Sequence, residues 1–146
     1  MVKSSSSEQQ CAESEIVKDI NRRLGLNLVK EKLNLGRGIV VEIDGIDRDR
    51  SAICEVYSRI GKLKPAQTDK LAADLLKFEL IERQPGLKFQ KIIGFCDDDA
   101  AKALRNKSWL AGIASIMGVI SIVADVPEST KSSIIAAQVR QKMTNV

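Results

Sequence analysis

Two carboxylates stand where acids can do chemistry. Asp44 closes the run Ile39-Val40-Val41-Glu42-Ile43-Asp44, and Glu55 lies inside Ile53-Cys54-Glu55-Val56-Tyr57. Both runs are β-branched and read as strands, over 39–44 and 51–57, and the polar 45–50 segment between them reads as a turn. The resulting hairpin can bring both acids to one side of a sheet. Carboxylates held close repel unless a cation neutralises them, and Mg²⁺ prefers carboxylate oxygens and water. A glutamate within an apolar strand is also costly to bury without a partner. The plainer alternative leaves both acids facing water on an exposed strand.

Composition narrows the remaining chemistry. The 146 residues include no histidine, which excludes Ser-His-Asp and Cys-His catalysis and imidazole zinc ligation. Cys11, Cys54 and Cys96 lie more than forty residues apart and make neither a CxxC pair nor a disulfide framework. Cys54 and Cys96 sit in apolar runs, where cysteine acts as a small hydrophobe, and the expected setting is a reducing cytoplasm. The net charge of +4 permits an anionic partner without requiring one.

Basic groups follow the second strand. Arg59, Lys62 and Lys64 lead through Pro65 into a helix over 66–83 carrying Gln67, Lys70, Asp74 and Lys77. At about 100° per residue these four span roughly 80° of arc, bordering the apolar Leu71, Leu75 and Phe78 face. That border can reach the rim of the sheet, or it can be a solvated edge knitted by pairs such as Lys70–Asp74. Lys62, Lys64 and the helix start together offer a phosphate seat.

The other elements frame this region. The polar 1–11 segment is expected to be a disordered tail, leaving one domain over 12–146. A helix is expected over 12–33, interrupted at Gly25, and strands over 88–96 and 119–124. Further helices are expected from Asp97 to about Met117 and from Glu128 to about Lys142. Asp97, Asp98 and Asp99 read as helix-capping acids. The uncharged stretch 109–124 is too short to cross a bilayer and is broken by Gly112 and Gly118, so no membrane partner is expected. Its apolar character allows a homodimer interface, with Trp109 expected in the core. The order α-β-β-α-β-α-β-α predicts a three-layer α/β domain with a central mixed sheet flanked by helices.

An opening helix, a strand ending in Glu-Ile-Asp, a hairpin, a strand carrying Glu55 and a helix with Gln67 and Lys70 together resemble the PD-(D/E)XK nuclease superfamily. The likeness covers about residues 15–124 in layout, with its motifs concentrated between Glu42 and Lys70. It implies a restriction-endonuclease-like fold and Mg²⁺- or Mn²⁺-dependent hydrolysis of phosphodiester bonds in nucleic acid, DNA first. It further implies Asp44, Glu55 and the Val56 carbonyl as metal ligands, with Lys70 orienting the nucleophile and stabilising charge. Glu15 or Glu31 would add a further acidic ligand, and Gln67, Lys62, Lys64 and Arg59 would contact the nucleic acid. The superfamily's motif lysine falls here on Tyr57. A tyrosine cannot replace an ammonium, so the alternative expectation is a catalytically inactive relative that binds nucleic acid or protein.

Overall fold

The computed structural model describes residues 2–144. Helix α1 (Val2–Leu24) leads into strands β1 (Val29–Gly36), β2 (Ile39–Asp47) and β3 (Ala52–Tyr57), then helix α2 (Pro65–Glu82) and strand β4 (Gln90–Phe95). The short helix α3 (Asp98–Ala101), a 3-10 turn (Lys102–Leu104), helix α4 (Trp109–Ile116), strand β5 (Ile120–Val123) and helix α5 (Glu128–Thr144) complete the chain. The five strands lie side by side in chain order. β1, β2 and β3 pair antiparallel, while β4 and β5 add in parallel after their helical crossovers.

Alternation along the central strands sorts the core into two layers. Ile53, Tyr57, Ile93 and Phe95 face Leu71, Leu75, Phe78 and Ile81 of α2, together with Leu110 and Ala114 of α4. Ala52, Cys54, Val56 and Ile92 face Ala12, Ile16 and Ile20 of α1 and Ile134 of α5. The α/β class and the mixed sheet agree with the expectation from sequence. No described helix is long and apolar enough to cross a membrane.

Three expectations need correction. The helix expected over 12–33 stops at Leu24, because Gly25 adopts φ +66° and ends it in the left-handed conformation that glycine tolerates. Asn21 then clamps both backbone groups of Leu28, and the chain turns into β1, a strand missing from the expected order. The stretch expected as a tail over 1–11 is helical from Val2, and Met1 lies outside the described residues. Glu8 pairs there with Arg140 of α5 at 2.6 Å, holding the start of α1 on the body of the molecule. Finally, the helix expected from Asp97 to Met117 is broken. Asp97 caps only α3, and Ser108 caps a fresh start at α4 by accepting from the Ala111 N–H.

One contact sets the depth of α1 on the sheet. A Cβ at Gly94 would stand 2.6 Å from Ile20 Cδ1 and 3.2 Å from both Ile16 Cγ2 and Val56 Cγ1. Gly94→Ala therefore forces a shift in a closed core, at a cost of about 1–3 kcal/mol. We expect thermal denaturation to show Tm lowered by roughly 2–10 °C. An unchanged Tm would contradict this seating of α1.

Candidate active site

The site is built where β2 and β3 separate. Between the pairs Val29–Ile46 and Glu31–Ile43, β1 advances two residues while β2 advances three, which places a bulge at Asp44-Gly45. The β2–β3 ladder runs from Asp47–Ala52 to Gly45–Cys54 and ends there. Beyond it β2 pairs only with β1, and β3 continues with β4. Gly45 is suited to the bulge because a Cβ there would lie 3.0 Å from Leu28 Cβ.

The two acids close the gap left by the ladder. Asp44 Oδ2 accepts the Val56 N–H at 3.0 Å, and Glu55 Oε1 accepts the Asp44 N–H at 3.3 Å. Backbone donors that lose ladder partners are thus satisfied by side chains. Among the described residues, Asp44 Oδ1 and Glu55 Oε2 make no hydrogen bond, so each acid keeps one oxygen uncommitted. Sequence spacing brought these two acids together, and the structure does the same. Glu55, however, is only 2% exposed, so the alternative of two solvated acids does not describe it.

Helix α2 supplies the charges on the other side of Glu55. Asp74, 3% exposed, accepts the Tyr57 hydroxyl at 2.6 Å and the Lys70 ammonium at 2.9 Å, and Lys77 Nζ lies 3.7 Å from its other oxygen. Lys77 also donates to the Glu42 carbonyl at 2.8 Å and stands 3.5 Å from Glu55 Oε1. Lys70 Nζ sits 4.6 Å from the centre of the Tyr57 ring, a cation–π contact. Three of the four polar residues bordering the apolar face of α2, Lys70, Asp74 and Lys77, therefore do reach the sheet. Lys77 is the lysine beside Glu55, and Lys70 is held by Asp74.

Burial and the neighbouring Asp44 and Asp74 charges push the Glu55 carboxyl up to about 8, against a smaller opposing pull from Lys77 and Lys70. Burial, followed by Asp74, pushes the Tyr57 hydroxyl above its ordinary range, which keeps it a donor to Asp74. Burial opposes the charge on Lys70, but the Asp74 carboxylate outweighs it and raises the ammonium's pKa.

A further acid, Glu13 of α1, faces the opening. It lines both a cavity of about 210 Å³ with Val56, Tyr57, Gln67 and Lys70, and a groove of about 530 Å³ with Asp44 and Lys30. Burial and then the Asp44 charge raise its carboxyl above the ordinary value. The sequence did carry a signal for it: relative to the Ala12, Ile16 and Ile20 face, Glu13 lies about 60° from centre and Glu15 about 100°. Glu31, the other expected ligand, is instead paired with Arg48 at 2.7 Å.

The remaining expected contacts disperse around this centre. Gln67 lines the cavity, but its Oε1 accepts the Lys64 N–H at 2.9 Å and so caps α2. Arg59 also lines the cavity, with its Nε buried and unpartnered among the described residues. Lys64 stands exposed at the start of α2, and Lys62 lines a separate groove beside Trp109. Cys54 and Cys96 are buried free thiols, the latter pushed up to about 11 by burial and the Asp97 charge.

Among the described residues, no three acidic, cysteine or histidine side chains converge closely enough to cage a metal ion. The donor set still suits Mg²⁺, which is commonly held by one or two carboxylates and keeps several waters. Asp44 and Glu55 offer such a pair. Comparison with family models, curated proteins and solved structures returns no match.

A carboxyl with a folded pKa of about 8, against an ordinary 4.5, binds more protons folded than unfolded. Its contribution to stability therefore declines as pH rises from about 5 to 8. In chelator-containing buffer, Glu55→Gln should flatten this decline and stabilise the protein at pH 8, by on the order of a few kcal/mol. Denaturant titrations across that range check it, and an unchanged slope would contradict the assignment.

Proposed function

We propose that this chain is a nuclease of PD-(D/E)XK type, hydrolysing phosphodiester bonds of nucleic acid, DNA first, with Mg²⁺ or Mn²⁺ held by Asp44 and Glu55. The observation that carries the reading is the fork itself: two acids from adjacent strands meet at a bulge, each with one oxygen uncommitted. The strand-strand-strand-helix-strand sequence around it supports a restriction-endonuclease-like arrangement. The cation would supply a bound water of lowered pKa and positive charge for the oxygens of the reacting phosphate. Glu13 would face that water from α1, and the Val56 carbonyl would complete the ligand set that the resemblance implies.

The lysines take different parts. Lys77 holds the Glu55 carboxylate in place from its bond to the Glu42 carbonyl. Lys70 lines the cavity, has a half-exposed side chain and is held on one side only by Asp74, so it can turn to an incoming phosphate. Tyr57 occupies the motif lysine position and, through Asp74, positions Lys70.

A second reading keeps the fold without the cleavage. It is favoured by the ion pairs of α2: Asp74 holds Lys70, and Lys77, the lysine beside Glu55, is itself held by Glu55, Asp74 and the Glu42 carbonyl. A non-cleaving relative would bind nucleic acid with a salt-dependent affinity and gain nothing from the cation.

Thermal denaturation and cleavage assays separate the two. With the cation about a hundredfold above its Kd, Mg²⁺ or Mn²⁺ should raise Tm by roughly 5–10 °C. Asp44→Asn combined with Glu55→Gln should abolish both that shift and the cleavage of plasmid or duplex DNA. Cleavage that survives the double variant sinks the site assignment, and a cation-insensitive Tm without cleavage selects the binding reading. Lys70→Ala should lower kcat by about 10²–10³ while the protein, with Asp74 still held by Tyr57 and Lys77, stays folded at a lowered Tm. Unchanged turnover would remove Lys70 from the mechanism.

A further inference from the structure

Trp109, the only tryptophan in the chain, is 74% exposed rather than part of the core. It opens α4, whose Leu110 and Ala114 turn inward and anchor the helix. The indole forms one wall of a groove of about 540 Å³, with Lys62, Thr68, Lys102, Asn106 and Ser108 around it. That volume lies in the range of pockets that enclose small organic groups. An exposed indole beside ammonium, amide and hydroxyl groups matches a nucleotide: a flat base to stack, edges to hydrogen-bond and a phosphate to neutralise.

The groove also lies next to the candidate active site. The first turn of α2 presents Gln67 to the cavity holding Lys70 and Glu13, and Thr68 to this groove. The first turn of α2 is thus a wall common to both. Asp99 lines the groove as well, but Lys102 holds it at 2.9 Å, so that pair is neutral. Lys62, together with the nearby Lys64 and Lys107, has no acidic partner within 4.0 Å among the described residues.

We propose that this groove binds an unpaired nucleotide of the substrate, its base stacked on Trp109 and its phosphate on Lys62. The substrate class is then DNA with a single-stranded segment, because a base within a duplex offers no free face for the indole. The inference rests on the nuclease reading above. A second copy of the chain fits the groove less well, since a two-fold contact there would bring the unpaired lysines of both copies together. The exposed Ile113 and Ile116 continue the apolar stripe of α4, which makes that rival worth measuring.

The test uses the intact chain in chelator, so that binding is read without cleavage. A labelled single-stranded DNA and the blunt duplex of the same sequence are titrated, following label anisotropy and Trp109 emission. We expect the single strand to quench the emission and the duplex to leave it unchanged. Trp109→Ala should weaken single-strand binding by roughly tenfold, Trp109→Phe should retain most of it, and Tm should stay unchanged. If the single strand binds with no change in emission and Trp109→Ala binds equally well, the groove inference is overturned while the nuclease reading stands. If neither DNA binds and no cleavage occurs with Mg²⁺ or Mn²⁺, both fall. If Trp109→Ala converts a dimer to a monomer in sedimentation and leaves DNA affinity intact, the face belongs to a second copy and the inference is again overturned.

Discussion

The bulge at Asp44-Gly45 makes β2 a strand that serves two neighbours out of step. Its extra residue shifts β2 by one position against β1, and the pairing with β3 ends alongside it at Gly45–Cys54. Buried backbone donors cannot be left open at such a break, because an unsatisfied group costs about 1–3 kcal/mol. Here the Asp44 and Glu55 carboxylates accept the Val56 and Asp44 N–H groups. Satisfying the backbone and assembling the acid pair are therefore one event. Moving either acid would reopen the sheet as well as empty the site.

The layers on each side follow from this constraint. A carboxyl buried at the fork needs compensation, and α2 provides it through Lys77, which reaches past Glu55 to the Glu42 carbonyl. Asp74 in turn must be compensated, and it collects Tyr57, Lys70 and Lys77. On the opposite face α1 lies close because Gly94 has no Cβ, and this approach sets Glu13 against Asp44. Each element that positions the acids also carries a charge toward them.

Much of this was legible in the sequence. The β-branched runs before Asp44 and around Glu55, the Pro65 helix start and the polar border of α2 all translate into the structure through local periodicity. What escaped were properties of pairs and surfaces. The Leu28, Val29 and Leu33 spacing fits a helix as well as a strand, and only the left-handed Gly25 and the Asn21 clamp decide for β1. The bulge cannot be read from β2 alone because it exists only relative to β1. Trp109 begins an apolar run, yet its helix turns Leu110 inward instead. Glu13 lies inside the helix expected from residue 12 and was available from helical geometry, but the expected ligands were Glu15 or Glu31, named without placing them against the Ala12, Ile16 and Ile20 face.

On the proposed reading, the uncommitted oxygens of Asp44 and Glu55 share one cation. The most direct measurement is anomalous diffraction from crystals of the full chain soaked in Mn²⁺. The account predicts a single strong peak at the fork, within about 2.0–2.3 Å of Asp44 Oδ1 and Glu55 Oε2, with waters filling the remaining positions. A fork without a peak, in crystals that bind Mn²⁺ at Asp97, Asp98 and Asp99, would contradict it.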